Sequence, residues 1–321
     1  MGFKLLNENV VETYEKDFIE FDMPLLDILL KDRSTGQNII WATSDYCKLG
    51  KAYRANREIE STLITGTKAN LITPRITKTL KRQNNRTREK AEVFTPSWVC
   101  NEQNNIIDDQ WFGKKNIFNI QRGKIWEPNA EKIVFPNVGK KTWKDYIDAR
   151  RIEITCGEAP YLVSRYDTAT GNMIDLQSRI GLLDRKLRVV NENVDDIKEW
   201  MKWTERAFQS VYGYEYQGDN LLLARENLLK TFIDNMEYKY NRNPKTVELK
   251  RIATIISWNL WQMDGTTGTV PYDDLRVSMR QLTIFDYMGG IENKVGTMYC
   301  NIKDWRSKAI IRYTSLLKGG F

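Results

Sequence analysis

Apolar positions along the chain change their period from one segment to the next. Met23-Pro24-Leu25-Leu26-Asp27-Ile28-Leu29-Leu30 is an almost continuous apolar run, which predicts a short buried helix or strand. Asn38-Ile39-Ile40-Trp41-Ala42-Thr43, after the Ser34-Thr35-Gly36 turn, reads as a strand. Residues 91–150 are punctuated by Gly113, Gly123, Pro128, Pro136 and Gly139, and predict irregular connections between short elements. Beyond residue 151 the pattern alternates. Ile152-Glu153-Ile154-Thr155 is a short strand entering a glycine turn. Ile197, Trp200, Met201, Thr204, Ala207 and Phe208 then recur at helical spacing. Val211-Tyr212-Gly213-Tyr214-Glu215 is a second strand. Asp219 can cap a helix running to about residue 240, with Leu222, Leu223, Leu229, Phe232, Ile233 and Met236 inward. Asn243-Pro244 opens a further helix whose apolar face includes Val247, Leu249, Ile252, Ile255, Ile256 and Trp261. Strand, helix and strand in succession predict an α/β fold, a sheet flanked by helices.

Composition narrows the chemistry. The 321 residues suffice for one large or two smaller domains, and 41% hydrophobic with 28% charged residues is ordinary for a globular protein. Histidine is absent, which removes Ser-His-Asp and Cys-His catalysis and His-ligated metal sites. Cys47, Cys100, Cys156 and Cys300 are dispersed without a C-x-x-C pair, so neither a disulfide framework nor a four-cysteine zinc site is expected. That usage fits a reducing cytoplasm. The N-terminus has no continuous apolar core of a secretory signal, position 6 is Leu rather than the Ser or Thr of a myristoylation motif, and no apolar run approaches the roughly 20 residues of a membrane span. The net charge of +7 is concentrated. Lys68, Arg75, Lys78, Lys81, Arg82, Arg86, Arg88 and Lys90 share one short segment with Glu89 as its acid. Such a segment is a candidate contact for a phosphate backbone, with a solvated helix or loop face as the alternative.

Three short motifs follow one another. Phe94-Thr95-Pro96 can start a helix, with Thr95 as cap, whose free N–H groups face an anion. Arg151-Ile152-Glu153-Ile154-Thr155-Cys156-Gly157-Glu158-Ala159-Pro160-Tyr161-Leu162 ends a strand in a glycine turn, where backbone can approach a ligand. Tyr212-Gly213-Tyr214-Glu215 ends the next strand in a carboxylate able to accept ribose hydroxyls, and Leu223-Ala224-Arg225-Glu226-Asn227-Leu228-Leu229 follows it. A short core turn, an ordinary helix start and a salt-bridged surface carboxylate are the plain structural alternatives.

In this order the motifs resemble those of S-adenosylmethionine-dependent adenine-N6 DNA methyltransferases, the modification (M) subunits of restriction systems, and bacterial proteins described as restriction endonuclease subunit M. The resemblance covers roughly residues 85–240. Glu153 stands where the family's Asp-Pro-Ala-Cys-Gly-Ser-Gly-Ala-Phe-Leu pattern has Asp; Cys156-Gly157 match, and Tyr161-Leu162 match Phe-Leu. Ala159 replaces the second Gly and Glu158 a small residue. The Ala-Arg-x-Asn-Leu helix of the family is matched from Ala224. Glu153 and Glu215 lie much further apart than the about 20 residues of a simple dinucleotide fold, which implies a helical insertion at about 172–210.

The resemblance implies an incomplete or divergent Rossmann-like methyltransferase sheet with helices on both faces over residues 91–321, plus an N-terminal α+β region at 1–90 carrying the basic segment. It implies S-adenosyl-L-methionine held by Phe94, Thr95, Pro96, Glu153, Cys156, Gly157 and Glu215. It also implies double-stranded DNA as partner, contacted through Arg75, Lys78, Lys81, Arg82, Arg86 and Arg88, and a restriction or specificity subunit as a second partner. The family's acceptor-Pro-Pro-aromatic tetrapeptide is absent. The nearest run is Met298-Tyr299-Cys300-Asn301-Ile302-Lys303-Asp304-Trp305, in which Asn301 or Asp304 would accept from the adenine amino group and Trp305 would stack on the flipped base. A core strand with a surface turn is its structural alternative. Three functions are therefore weighed: a DNA adenine methyltransferase, a catalytically degenerate relative that binds DNA or a partner, and a nuclease component using Asp273-Asp274 and Asp304.

Overall fold

The computed structural model describes residues 23–78, 83–84, 86–88, 95–139, 141–273 and 297–317. Helix α1 (Met23–Leu30) buries Leu25, Leu26, Leu29 and Leu30. Helix α2 (Ser97–Phe112) follows, then a hairpin of β1 (Asn119–Arg122) and β2 (Ile125–Pro128) and the short helix α3 (Trp143–Asp148). Strand β3 (Arg151–Glu153) leads through helices α4 (Leu182–Asn193) and α5 (Ile197–Gln209) to β4 (Val211–Glu215). Helices α6 (Gly218–Tyr240) and α7 (Thr246–Asn259) lead on to β5 (Leu260–Gln262). A second hairpin, β6 (Asn301–Asp304) and β7 (Ala309–Arg312), ends in the short helix α8 (Tyr313–Leu317).

The fold is mixed α/β. Strands β3, β4 and β5 form a parallel sheet in that spatial order, with Ile152 beside Tyr212 and Tyr214 beside Trp261. Side chains alternate across a strand, so β4 divides its residues between two cores. Val211 and Leu260 belong to the main cluster, with Phe208, Leu222, Leu229, Phe232 and Ile256 from the helices. Tyr212, Tyr214 and Trp261 point the other way and pack with Met263, Val270, Cys300 and Ile302. Helices were expected on both faces of the sheet. Among the described residues the second face is instead covered by the β6–β7 hairpin and the residues around Tyr313.

Helix α2 replaces the irregular connections expected before residue 150. Its inward positions Ser97, Cys100, Asn101, Asn104, Asp108 and Phe112 have helical spacing but are mostly polar. Asn104 donates to the Tyr161 and Ile180 carbonyls, and Asp108 pairs with Arg185 at 2.6 Å. A helix whose buried face is hydrogen-bonded rather than apolar leaves little hydrophobic periodicity to read. Residues 38–43 were expected as a strand and form isolated bridges instead, Lys31 to Asn38 and Ile40 to Glu58. The Gln262 side chain takes the place of a neighbouring strand, accepting from Ile40 N–H at 2.9 Å and donating to its carbonyl at 2.8 Å. Trp261 lies in β5, not on the face of α7.

The N-terminal segment shares the main core. Leu25, Leu29, Trp41, Tyr46, Tyr53 and Ile59 join the same cluster as the helices after residue 180. Arg225 of α6, fully buried, donates to the carbonyls of Leu29, Lys31 and Leu260 and so ties α1 to the sheet. Burial pushes its guanidinium down to about 9.

Candidate functional site

The parallel strands bring Glu153 and Glu215 to neighbouring carboxyl ends. Glu153 accepts from the Tyr161 and Leu162 backbone N–H groups at 3.3 and 3.1 Å. Glu215 accepts from Gly157 N–H at 2.9 Å and Gln217 N–H at 3.1 Å. Each carboxylate therefore anchors the turn that follows β3. Both side chains are buried. Burial raises the Glu153 carboxyl well above the usual range; its two N–H donors lower it in part, and Glu215 raises it again.

The turn itself is conformationally costly. Thr155, Gly157 and Ala159 alternate into left-handed backbone, at φ of 46°, 53° and 64°. That region costs a residue with a Cβ roughly 1–2 kcal/mol, and a β-branched threonine is unusual there. Backbone held this way is a recurrent mark of functional turns. Gly213 lies against it: a Cβ there would sit 3.3 Å from Cys156 Sγ and 3.5 Å from the Glu153 carbonyl. The Cys156 thiol is buried, and burial pushes its pKa up.

Glu158, at the position where a small residue was expected, turns inward rather than into a ligand space. It accepts from Arg75 N–H at 2.7 Å and the Tyr166 hydroxyl at 2.5 Å. Asn227 of α6 closes the network through the Glu158 carbonyl and the Tyr166 hydroxyl. The Ala-Arg-x-Asn-Leu match thus has a structural role in both its polar residues.

Thr95 reaches the same turn through one intermediary. The side chains of Thr95 and Cys100 lie beside the Tyr161 hydroxyl, and Tyr161 N–H bonds Glu153. Thr95 was expected to cap α2. The helix instead begins one residue later, after Pro96, and Asp167 caps it by accepting from Ser97 N–H at 2.7 Å. A carboxylate of the chain thus occupies the place read for an external anion. Thr168 donates to the Thr95 carbonyl at 3.1 Å and holds the entry to the helix. Asp167 and Thr168 lie a few residues beyond the motif that ends at Leu162, but nothing in their spacing marks them as helix-capping. Phe94 lies outside the described residues.

The remaining assignments separate from this cluster. β6 runs antiparallel to β5 in space: Cys300 Sγ reaches the Gln262 carbonyl, while Trp305 Nε1 donates to Asn259 Oδ1 at 2.7 Å, just before β5 begins. Asp304 and Trp305 therefore sit at the amino ends of the parallel strands, opposite Glu153 and Glu215. Asp304 is taken up by Arg150 at 3.0 Å, Arg306 N–H and the Ser307 hydroxyl. Asn301 opens the hairpin, its N–H bonded to Ser34 Oγ. The structure does not bring these three residues to the motif turn.

The basic segment divides as well. Arg86 is 2% exposed and donates to Asp219, Asp45, Gln217 and Asn220, and Lys78 lies 3.5 Å from Asp219. Both were read as phosphate contacts; the buried carboxylate of Asp219 draws both cations inward. Burial opposes ionisation of Asp219, yet Arg86, Lys78 and the Tyr46 hydroxyl together hold its carboxyl below the usual range. Arg75 is half-buried on Glu158 and Thr87, and Arg88 is exposed. Lys81 and Arg82 lie outside the described residues.

Two clefts lie away from the motif turn. One of about 700 Å³ lies between the β1–β2 hairpin, α4 and α6. Its carboxamides Asn119, Asn191 and Asn235 bond within the protein. The other, of about 270 Å³, lies at the amino ends of the sheet. Among the described residues no group of three or more Asp, Glu or Cys could hold a metal ion, and no helix is long and apolar enough to cross a membrane. No protein-family model, curated protein or solved structure matches the chain.

Proposed function

We propose that this chain is a divergent, Rossmann-like S-adenosylmethionine-binding protein related to the adenine-N6 DNA methyltransferases of bacterial restriction-modification or defence systems. The observation that carries the reading is the hydrogen bond from Gly157 N–H to Glu215 across 58 residues of sequence. It joins the glycine turn to the carboxylate that ends the next strand, at the carboxyl ends of parallel strands where nucleotide-like ligands bind in open α/β sheets. Glu215 ends β4 where the acidic residue of a nucleotide site stands, and would accept the ribose hydroxyls there. Thr95, beside Tyr161, would border the methionine end. The DNA and a restriction or specificity subunit are partners that this reading implies, in the cytoplasm.

A second reading is favoured by the position of Asp304 and Trp305. Asp304 and Trp305 lie at the opposite end of the sheet from Glu153 and Glu215, and Asp304 is already engaged by Arg150. A methyltransferase-like protein that binds without transferring a methyl group would have that arrangement. A nuclease component has less support: Asp273 accepts from Met298 N–H, Asp304 serves its own turn, and Asp274 lies outside the described residues.

Titration calorimetry with S-adenosylmethionine and S-adenosylhomocysteine tests the cofactor reading. Saturable binding of either supports it, and a folded protein that takes up neither overturns it. Transfer of a labelled methyl group to a mixed pool of DNA then separates the enzyme from the binding protein.

A further inference from the structure

The basic and aromatic residues of this chain meet at a place that no run of sequence marks. The cleft at the amino ends of β3 and β4 is lined by Asp148, Arg150, Arg206, Asp304, Trp305 and Arg306, with Tyr212 in its wall. Arg206 engages Asp148 through Nε and Nη2, Arg150 reaches Asp304 through Nη2, and Arg306 Nη2 donates to the Asp148 carbonyl. A guanidinium has five N–H donors in a planar fork. Internal contacts thus orient the three arginines while their exposed side chains, at 54% for Arg150 and 60% for Arg306, keep donors toward solvent.

The surface continues along β6. Lys303 Nζ lies 4.3 Å from the Trp305 ring centroid and 5.6 Å from that of Trp258, and the guanidinium of Arg33, distant in sequence, lies 5.8 Å from the Trp258 centroid. Trp305 and Trp258 are both half-buried. Cations and indole rings therefore alternate, with Asp148 and Asp304 as the acids in the cleft. The Trp305 indole is fixed by its bond to Asn259. A fixed ring beside clustered guanidinium groups suits a ligand that offers a planar face and an anion in repeating order.

We propose that this face binds the backbone of single-stranded nucleic acid, with Arg150, Arg206 and Arg306 on phosphates and Trp305 stacking an unpaired base. It is separate from the cofactor reading, because it lies at the opposite end of the sheet and uses none of the motif residues. Bases must be unpaired to present a face to the ring, so a duplex would gain the phosphate contacts alone.

Fluorescence anisotropy with a labelled oligothymidylate measures the affinity, with circular dichroism confirming the fold of each variant. Arg150→Gln combined with Arg306→Gln should weaken binding at least about tenfold. The same change should flatten the salt dependence, since each phosphate contact on single strands contributes a slope near 0.7. Trp305→Phe should weaken the single strand more than the matching duplex. Lys114→Gln with Lys115→Gln, exposed lysines outside the cleft, should change nothing. Wild-type affinity in the arginine double variant, or absence of binding by the folded wild type, overturns the proposal. So does displacement of the oligonucleotide by polyglutamate at equal charge, which would identify the face as a site for acidic protein.

Discussion

Glu215 and Asp219 are close in sequence, and both are buried, yet they use different partners. Glu215 accepts from backbone N–H groups, whereas Asp219 is matched by side-chain cations, which commits it to the fold. Glu215→Ala should weaken S-adenosylmethionine by roughly 1–3 kcal/mol, the cost of removing an acceptor from buried hydroxyls. Calorimetry on the folded variant checks it, and unchanged affinity would remove Glu215 from the site. Arg86→Ala should cost about 3–5 kcal/mol, because it strands Asp219 in the interior. Denaturant unfolding measures that loss. The sign of the pH dependence follows from Asp219. Its folded pKa is depressed, so its contribution is present above the unfolded value of about 3.9 and is lost as pH falls through the folded one. Asp219→Asn should therefore be less stable than wild type at neutral pH, with the gap narrowing in acid below about pH 4. A gap independent of pH would show that the pair is not what the variant removed.

At the scale of elements, close backbone approaches decide where the pieces meet. Gly218, the first residue of α6, donates to the Trp41 carbonyl at 3.0 Å, and a Cβ there would fall 2.0 Å from the Ile40 carbonyl oxygen. Gly218→Ala must push residues 40–41 away from the helix, and should destabilise by more than about 2 kcal/mol, within the range of overpacking in a dense interior. Gly157→Ala must hold φ at 53°, which by itself costs about 1–2 kcal/mol. Thermal unfolding measures both losses, and a Gly218→Ala protein as stable as wild type would contradict the close approach. The same elements show what was legible beforehand. β4 and α5 were readable because Val211, Tyr212 and Tyr214 are β formers and the mostly apolar buried positions of Ile197–Gln209 have helical spacing. The meeting of Glu153, Gly157 and Glu215 was readable from motif order. Helix α2 was not readable in full, because its buried face carries Asn101, Asn104 and Asp108. The inward turn of Lys78 and Arg86 was hidden too, since a basic run looks the same whether it faces water or a distant buried carboxylate such as Asp219. The cation and tryptophan face at the amino ends draws on Arg33, Arg150, Arg206, Trp258 and Trp305, which only the fold assembles.

At the scale of the molecule, the question is whether the motif-bearing part stands without the segment before it. Three kinds of contact cross that boundary. Leu25, Leu26, Leu29 and Leu30 of α1 sit in the same cluster as Leu222, Phe232 and Ile256. Arg225 has carbonyl partners at Leu29 and Lys31, and Gln262 has both of its Ile40 partners there. Arg86 and Lys78 neutralise Asp219 on α6. Burying a leucine is worth about 1.5–3 kcal/mol, so the four leucines of α1 alone contribute on the order of 6–12 kcal/mol. That is comparable with the entire 5–15 kcal/mol by which a typical domain is stable. A fragment of residues 91–321 would in addition leave Arg225 and Asp219 buried without these partners, each a further cost of a few kcal/mol. It should therefore fail to fold alone, with reduced helical circular dichroism, no cooperative thermal transition and rapid proteolysis. Adding a separate peptide of residues 1–90 should restore part of the protection by refilling the same contacts. A fragment that unfolds cooperatively near the temperature of the full chain would show that residues 1–90 are an appendage, and that the shared core contributes far less than its buried leucines imply.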